Sequence, residues 1–349
     1  MAQRGISDFR SDTVTWPTEA MYRAMTQAPL GNDGFRDDPT VIELEEISAK
    51  LLGKESAVFC PSGTMANQIA GRVWAQPGQE VILEEGAHVL NFESGGLAYA
   101  GLQLRPVAGE RGMMAPEQVA ERIRRADSHS PGTGLVWLEN THNLAGGRVM
   151  PQENTIAIAD IAHRAGLPVH LDGARIFNAQ VASGITAGKL SEPADSVMFC
   201  LSKGLCCPVG SLLCGSAEFI ERARDVRQRM GGTMRQAGIL AACGLVALRE
   251  NIDRLAQDHA RAKVLAEGLA RIPGLELRVE EVETNMVYFR LKEQAGLSAT
   301  ELEERAGERG VWMVNLGERV IRMVTHKDVD ESDVARALEV IGGLLGGEK

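Results

Sequence analysis

Apolar and polar positions alternate in a recurring order along the first two thirds of the chain. Short runs of apolar and β-branched residues in SAVFC (56–60), EVILEE (80–85), GLVWLENTHN (134–143), LPVHLD (167–172) and SVMFC (196–200) have the pattern of buried strands. Between them, helical spacing predicts helices over 18–29 with Thr18 as N-cap, over a segment ending at Gly53, after the Pro-Ser-Gly-Thr turn at 61–64, over 115–127 and over 155–166. Strands alternating with helices predict an α/β fold with a mainly parallel, helix-flanked sheet, in which ligands bind beyond the strand C-termini. From Ile239 to about Leu269 the pattern is helical, and it leads into strands in LELRVEEV, NMVYFRL, VWMVNLG and VIRMVTH with helices from Ala299 and Asp330. The expected division is a large domain over 1–250, with an N-terminal arm, and a small α/β domain over 251–349.

Composition narrows the function more than the fold. Lys+Arg 37 against Asp+Glu 47 gives a net charge of -10, and no basic run stands out, so no nucleic-acid partner is expected. Neither a signal-peptide pattern nor an apolar stretch near the roughly 20 residues of a membrane span is present, which predicts a cytoplasmic protein without a membrane partner. The six cysteines form no C-x-x-C pair and sit largely in apolar runs. They read as structural thiols, and no metal site is expected.

Two of the strand-like runs end in ionisable groups, Asp172 and Lys203. An acid and an amine facing one crevice suit pyridoxal phosphate, which needs a lysine for its Schiff base and an acid opposite its pyridinium nitrogen. Arg175 supplies a nearby cation that favours the neutral, reactive amine. A buried salt bridge, or simply two solvated strand ends, is the plainer alternative. Gly63 and Thr64 open a helix after a turn of small residues, where free backbone N–H groups make an anion site or merely a helix cap. His88 lies in a loop after a strand, where an imidazole either stacks on a cofactor ring or caps a surface. Ser-Gly-Thr, His88, Glu139, Asp172 and Lys203 all fall at predicted strand C-termini.

With these residues assembled, the chain resembles the L-threonine aldolases of the β-eliminating lyase group, within the aspartate aminotransferase-like (type I) pyridoxal phosphate fold. The resemblance is carried by RSDTVTWPT, GNDGFRDDPTV, SGTMANQ, GAHVLNFESGG, LENTHN, HLDGARIFNA, CLSKG, PVGSLLCG, GGTMRQAG and VIRMVTH, in that order and nearly end to end. It implies retro-aldol cleavage of L-threonine or L-allo-threonine, and of related substrates such as phenylserine, to glycine and an aldehyde. Lys203 would carry the cofactor, Asp172 would face its ring nitrogen, Gly63 and Thr64 would bind its phosphate, and His88 would stack on the ring. Arg175 would contact the ring hydroxyl and the substrate carboxylate, with Ser11 and Arg322 completing that clamp. His129, ten residues before Glu139, is the second histidine expected near the substrate hydroxyl, and the base is His88, His129 or a water between them. The resemblance also implies a homotetramer with sites at dimer interfaces, the GNDGFRDDP loop reaching a neighbour. Two positions depart from the pattern: Phe35 stands where relatives commonly have Tyr, and Gln228 where they often have Lys, leaving Arg227 or Arg229 to compensate. β-Elimination or transamination at the same site, and a cofactor-binding protein without catalysis, are the alternatives.

Overall fold

The computed structural model describes residues 5–346. In chain order its strands are β1 (Ser7–Asp8), β2 (Ser56–Cys60), β3 (Glu80–Glu84), β4 (Gln103–Val107), β5 (Thr133–Glu139), β6 (Val169–Asp172), β7 (Ser196–Cys200), β8 (Ser211–Gly215), β9 (Leu275–Glu276), β10 (Met286–Leu291), β11 (Val311–Trp312), β12 (Val314–Asn315) and β13 (Val320–Val324). Seven of these form one sheet in the order β2-β8-β7-β6-β5-β3-β4. Its neighbours pair in parallel from β4 through β7, and β8 runs antiparallel to both β7 and β2. Every residue of β3, β5, β6, β7 and β8 is buried, as expected where helices cover both faces.

The strand period of two decides which face each residue serves. Ala57 and Phe59 of β2 and Val197 and Phe199 of β7 join the large core with Leu44, Phe177 and Leu190. Val58, Cys60, Met198 and Cys200, one residue out of phase, face the other way and pack with Ile69, Phe219 and Ile220. Helix starts are set by side-chain caps: Thr18 accepts the Met21 N–H, Asp38 accepts those of Thr40 and Val41 ahead of Pro39, and Ser62 accepts that of Met65.

The C-terminal unit is an antiparallel sheet in the order β12-β13-β10-β9, packed with the helices Leu255–Leu269, Ala299–Glu308 and Glu331–Gly346. Its core of Leu265, Phe289, Leu302, Ile321 and Val334 also contains Phe9. The N-terminal arm therefore belongs structurally to the far end of the chain, and β1 pairs in parallel with β11.

Several segments differ from their predicted form, among them the buried strand β8, which was not anticipated, and VWMVNLG, which splits into β11 and β12. The 115–127 helix stops at Arg122, because Arg124, Arg125, Ala126 and Asp127 carry no apolar face to bury. LELRVEEV forms only the two residues of β9 before a 3-10 turn over Val279–Glu281. The edge strand β4 was not anticipated, since QLRPV is largely exposed and lacks an apolar run. Among the described residues no helix is long and apolar enough to cross a membrane. All six cysteines are buried and free.

Candidate active site

The C-terminal edge of the parallel strands gathers the chemistry. Beyond β2, the Ser62 cap starts the helix Gly63–Trp74. Beyond β3, His88 opens the short helix His88–Asn91. Glu139 ends β5, Asp172 ends β6, and Lys203 follows β7 by three residues. The Lys203 carbonyl accepts from the Thr15 hydroxyl at 3.0 Å and from the Cys206 N–H at 2.8 Å, which fixes the turn that presents the amine. Gly63 lies so near β7 that a Cβ would stand 2.7 Å from Cys200 Sγ and 2.9 Å from Met198 Cε.

Asp172 is buried and accepts the Ala174 N–H at 3.0 Å and the Asn67 side-chain amide at 2.8 Å. His88 is held from two sides. Its backbone N–H donates to Glu139 Oε2 at 2.7 Å, and its ring Nδ1 lies 3.0 Å from Glu93 Oε1. A carboxylate only accepts, so the neutral ring carries its proton on Nδ1 and keeps the Nε2 lone pair available. Glu139 takes a second backbone bond from Asn143 at 2.7 Å. Burial raises its pKa, with His142 pulling against the rise.

The arm holds the cationic side of the site in place. Arg175 is buried and donates from Nε and Nη2 to both oxygens of Asp12, at 2.8 and 2.6 Å. Burial works against the Asp12 charge, but Arg175 and Lys203 together hold that carboxyl well below the usual carboxylate range. Two residues earlier, the Arg10 carbonyl accepts from Arg322 Nη2 at 3.1 Å. The segment Arg10–Asp12 thus touches both guanidinium groups, with Ser11 between them. Arg322 Nε is buried without a hydrogen-bond partner. Tyr288, across the β10–β13 pairing from Arg322, donates to the Asn143 carbonyl at 2.8 Å and closes the site from the C-terminal unit.

Lys203, Asp172, His88, Gly63, Thr64, Arg175, Ser11 and Arg322 therefore lie on the elements that meet at this edge. His129 does not. It is exposed in the loop before β5, and the strand separates it from Glu139 by roughly 20 Å at about 3.3 Å per residue. Counting ten residues back from Glu139 leads down the strand to the opposite edge of the sheet. The histidine that does reach the site is His142, which the sequence reading passed over although LENTHN contains it. His142 is buried, its Nδ1 accepts the Ala145 N–H at 3.2 Å, and its Nε2 lies 3.0 Å from Glu84 Oε2. Burial opposes its charge, yet the Glu84 hydrogen bond and the charges of Glu139, Glu84 and Asp172 outweigh it and raise the pKa. Both ring nitrogens are engaged, unlike those of His88.

The two departures also resolve into positions. Phe35 is 79% exposed at the end of a 3-10 turn, and Gln228 is exposed on the helix Ala217–Arg229. Arg227 is buried and committed to Asp33 at 3.1 Å and to the Phe59 carbonyl at 2.6 Å, so it serves the fold. Arg229 points from the exposed side of the same helix.

A family model described as Beta-eliminating lyase matches residues 8–292. Low-specificity L-threonine aldolase 1 of Arabidopsis thaliana is 44% identical over 339 residues, covering 96% of this chain and 94% of that protein. Low specificity L-threonine aldolase of Escherichia coli (strain K12) is 43% identical over 330 residues, covering 94% and 96%. Among solved structures, Leishmania major threonine aldolase superposes with a TM-score of 0.82 at 18% identity, over 97% of this chain and 99% of that one. SPT with PLP gives 0.74 at 17% identity, over 98% and 87%. Likeness at such low identity speaks to the fold, and the fold is the expected type I, aspartate aminotransferase-like one. With the family model spanning most of its length and relatives at 43 and 44% identity along nearly all of it, the chain belongs to the β-eliminating lyase family, in its L-threonine aldolase branch.

Proposed function

We propose that this protein is a pyridoxal phosphate-dependent aldolase that cleaves L-threonine, L-allo-threonine and related β-hydroxy-α-amino acids to glycine and an aldehyde. The full-length likeness to low-specificity L-threonine aldolases carries the reading, and the residues at the sheet edge fit it. Gly63 keeps the helix start against β7, where a Cβ has no room. Ser62 caps only the Met65 N–H, so the Gly63 and Thr64 N–H groups remain for a phosphate. The buried Asp172 carboxylate is an acceptor for a protonated ring nitrogen, and Lys203 is the amine that holds the cofactor. Once bound there, pyridoxal phosphate supplies a sink for the electron pair released at the substrate α-carbon.

The chain's own groups do the rest. Arg175 and Arg322, with the Ser11 hydroxyl between them, bind the substrate carboxylate, and the otherwise unpartnered Arg322 Nε gains an acceptor. Fixing the carboxylate selects which α-carbon bond stands ready to break. His88 would stack on the cofactor ring, and its Nε2 lone pair would take the β-hydroxyl proton as the Cα–Cβ bond breaks and the aldehyde leaves. The α-carbon then takes a proton, completing glycine. His142 braces the loop beyond β5 through Glu84, a supporting part, and His129 has no part.

The same reading extends to assembly and location. Trp16, Tyr22, Phe35, Phe92 and Tyr99 are large exposed side chains, supporting a homotetramer whose GNDGFRDDP loop completes a neighbour's site. The free, buried cysteines support a cytoplasmic protein, and the proposed division remains a large domain over 1–250 and a small one over 251–349. Purified, cofactor-loaded protein given L-threonine, L-allo-threonine or either L-phenylserine diastereomer is expected to release glycine and aldehyde in equal amounts. A keto acid without glycine, such as 2-oxobutyrate from the threonines or phenylpyruvate from phenylserine, would move the reaction to β-elimination or transamination.

A further inference from the structure

The helix Gly63–Trp74 lies over β6 with its own period matched to that of the strand. Asn67 and Trp74, seven residues apart, share one helix face, while His170 and Asp172, two apart, share one strand face. Ser196 of β7 sits directly across from His170 in the sheet register. These placements, with Glu93 joining at one end, bring six polar side chains into a single line, of which Asn67, His170, Ser196, Glu93 and Asp172 are nearly inaccessible to solvent.

The direction of every hydrogen bond in that line can be deduced from its two ends. The Asn67 amide nitrogen lies 2.8 Å from Asp172 Oδ2 and 2.8 Å from Glu93 Oε1. Carboxylates accept, so the amide spends both hydrogens on them and turns its oxygen to His170 Nε2 at 3.4 Å. His170 must then donate from Nε2, which leaves Nδ1 to accept from the Ser196 hydroxyl at 2.8 Å. Ser196 in turn accepts the indole N–H of Trp74 at 2.7 Å. Burial pushes the His170 ring down to about 3, against the pull of Asp172, so it stays neutral as the chain of donors requires. All hydrogens in the line point toward the two carboxylates, and each bond polarises the next.

We propose that Asn67 is a positioning residue that serves two roles of the site at once, the acid facing the cofactor ring and the acid orienting the His88 base, with Trp74, Ser196 and His170 holding its amide in register. The inference rests on the functional reading above for the roles of Asp172 and His88. Its physical need is local crowding: oxygens of Glu93 and Asp172 and a ring nitrogen of His88 lie within 4.8 Å of one another, and Glu93 Oε2 has no partner. Two buried carboxylates this close repel unless a shared donor stands between them. The other ionisable groups facing the cluster are His170 on β6 and Glu139 and His142 at the end of β5.

Asn67→Leu keeps the volume and removes both donors. Without them one carboxylate keeps its proton in the folded variant, which then binds more protons than the unfolded chain and loses stability as pH rises. In full-length protein without added cofactor, the melting-temperature deficit of Asn67→Leu against wild type should widen from about pH 5 to about pH 8. An amide that merely fills space gives a deficit independent of pH. Titration with pyridoxal phosphate should show affinity weakened by roughly ten- to a hundredfold, the scale of a lost hydrogen bond to a charge. Adding Glu93→Gln, which removes the like charge and offers a new amide, should restore most of that affinity without restoring aldol cleavage. Where Asn67→Leu does not fold, Asn67→Ser, with one donor for two acceptors, gives the same comparison. A flat pH dependence with unchanged cofactor affinity overturns the proposal. Wild-type protein that takes up no pyridoxal phosphate would instead sink the functional reading, and the slope of the deficit with pH would still decide the role of Asn67.

Discussion

Asp12 carries a full charge with no solvent around it because Arg175 grips both its oxygens, with Lys203 and the Asn285 amide adding to the hold. Removing one partner leaves the other as an uncompensated buried ion, so Asp12→Asn should cost about 3–5 kcal/mol at neutral pH. The folded-state pKa of Asp12 is depressed, so its contribution is present above the unfolded value near ~3.9 and is lost as pH falls toward the folded one. Denaturant unfolding of wild type and variant should therefore differ at pH 7 and converge in strong acid. The histidines test placement in the same way. His129→Ala should leave kcat/KM within about twofold, whereas His142→Ala frees buried Glu84 and should lower it by about tenfold or more, the scale of a lost hydrogen bond to a charged group. Lys203 and Asp172 were legible in sequence because each ends an apolar run. His142 was harder to see because a loop turns it back into the site, and the whole of β5 lies between it and His129. Asn67 gave no local signal, since its partners are 26 and 105 residues away.

At the scale of elements, the approach of the helix Gly63–Trp74 to β7 sets the width of the phosphate corner. A methyl group at Gly63 has to displace Cys200 Sγ and Met198 Cε, both in a filled core. Gly63→Ala should cost roughly 1–3 kcal/mol, the usual range for overpacking, and pyridoxal phosphate affinity should fall with it, as titration of the variant would reveal. An unchanged affinity would mean that the helix start does not hold the phosphate. Most strands and helices of the large sheet were readable from period alone, because strands buried on both faces leave nearly continuous apolar runs. The edge strand β4 was not, for the opposite reason: Gln103, Arg105 and Pro106 answer to solvent on one side, and Pro106 has no N–H to give the ladder.

The whole molecule is tied together by the segment 7–12. Phe9 fills the C-terminal core, β1 pairs with β11, and Asp12 reaches Arg175 on the large sheet, so one short segment braces both units across the site. Such a contact between residues more than 150 apart leaves no periodic trace in sequence, where the stretch reads only as an N-terminal arm. The six buried thiols extend through the same body, and burial lifts Cys60 to about 12 and Cys206 and Cys243 to about 11. These three thus offer almost no thiolate near neutrality while the chain is folded. A disulfide reagent such as Ellman's should leave the native protein untouched and titrate all six sulfurs in guanidinium. The rate of colour release at rising temperature would then count openings of the native state one molecule at a time. The enzyme carries its own clock for wear, and it should keep in air without a reducing agent.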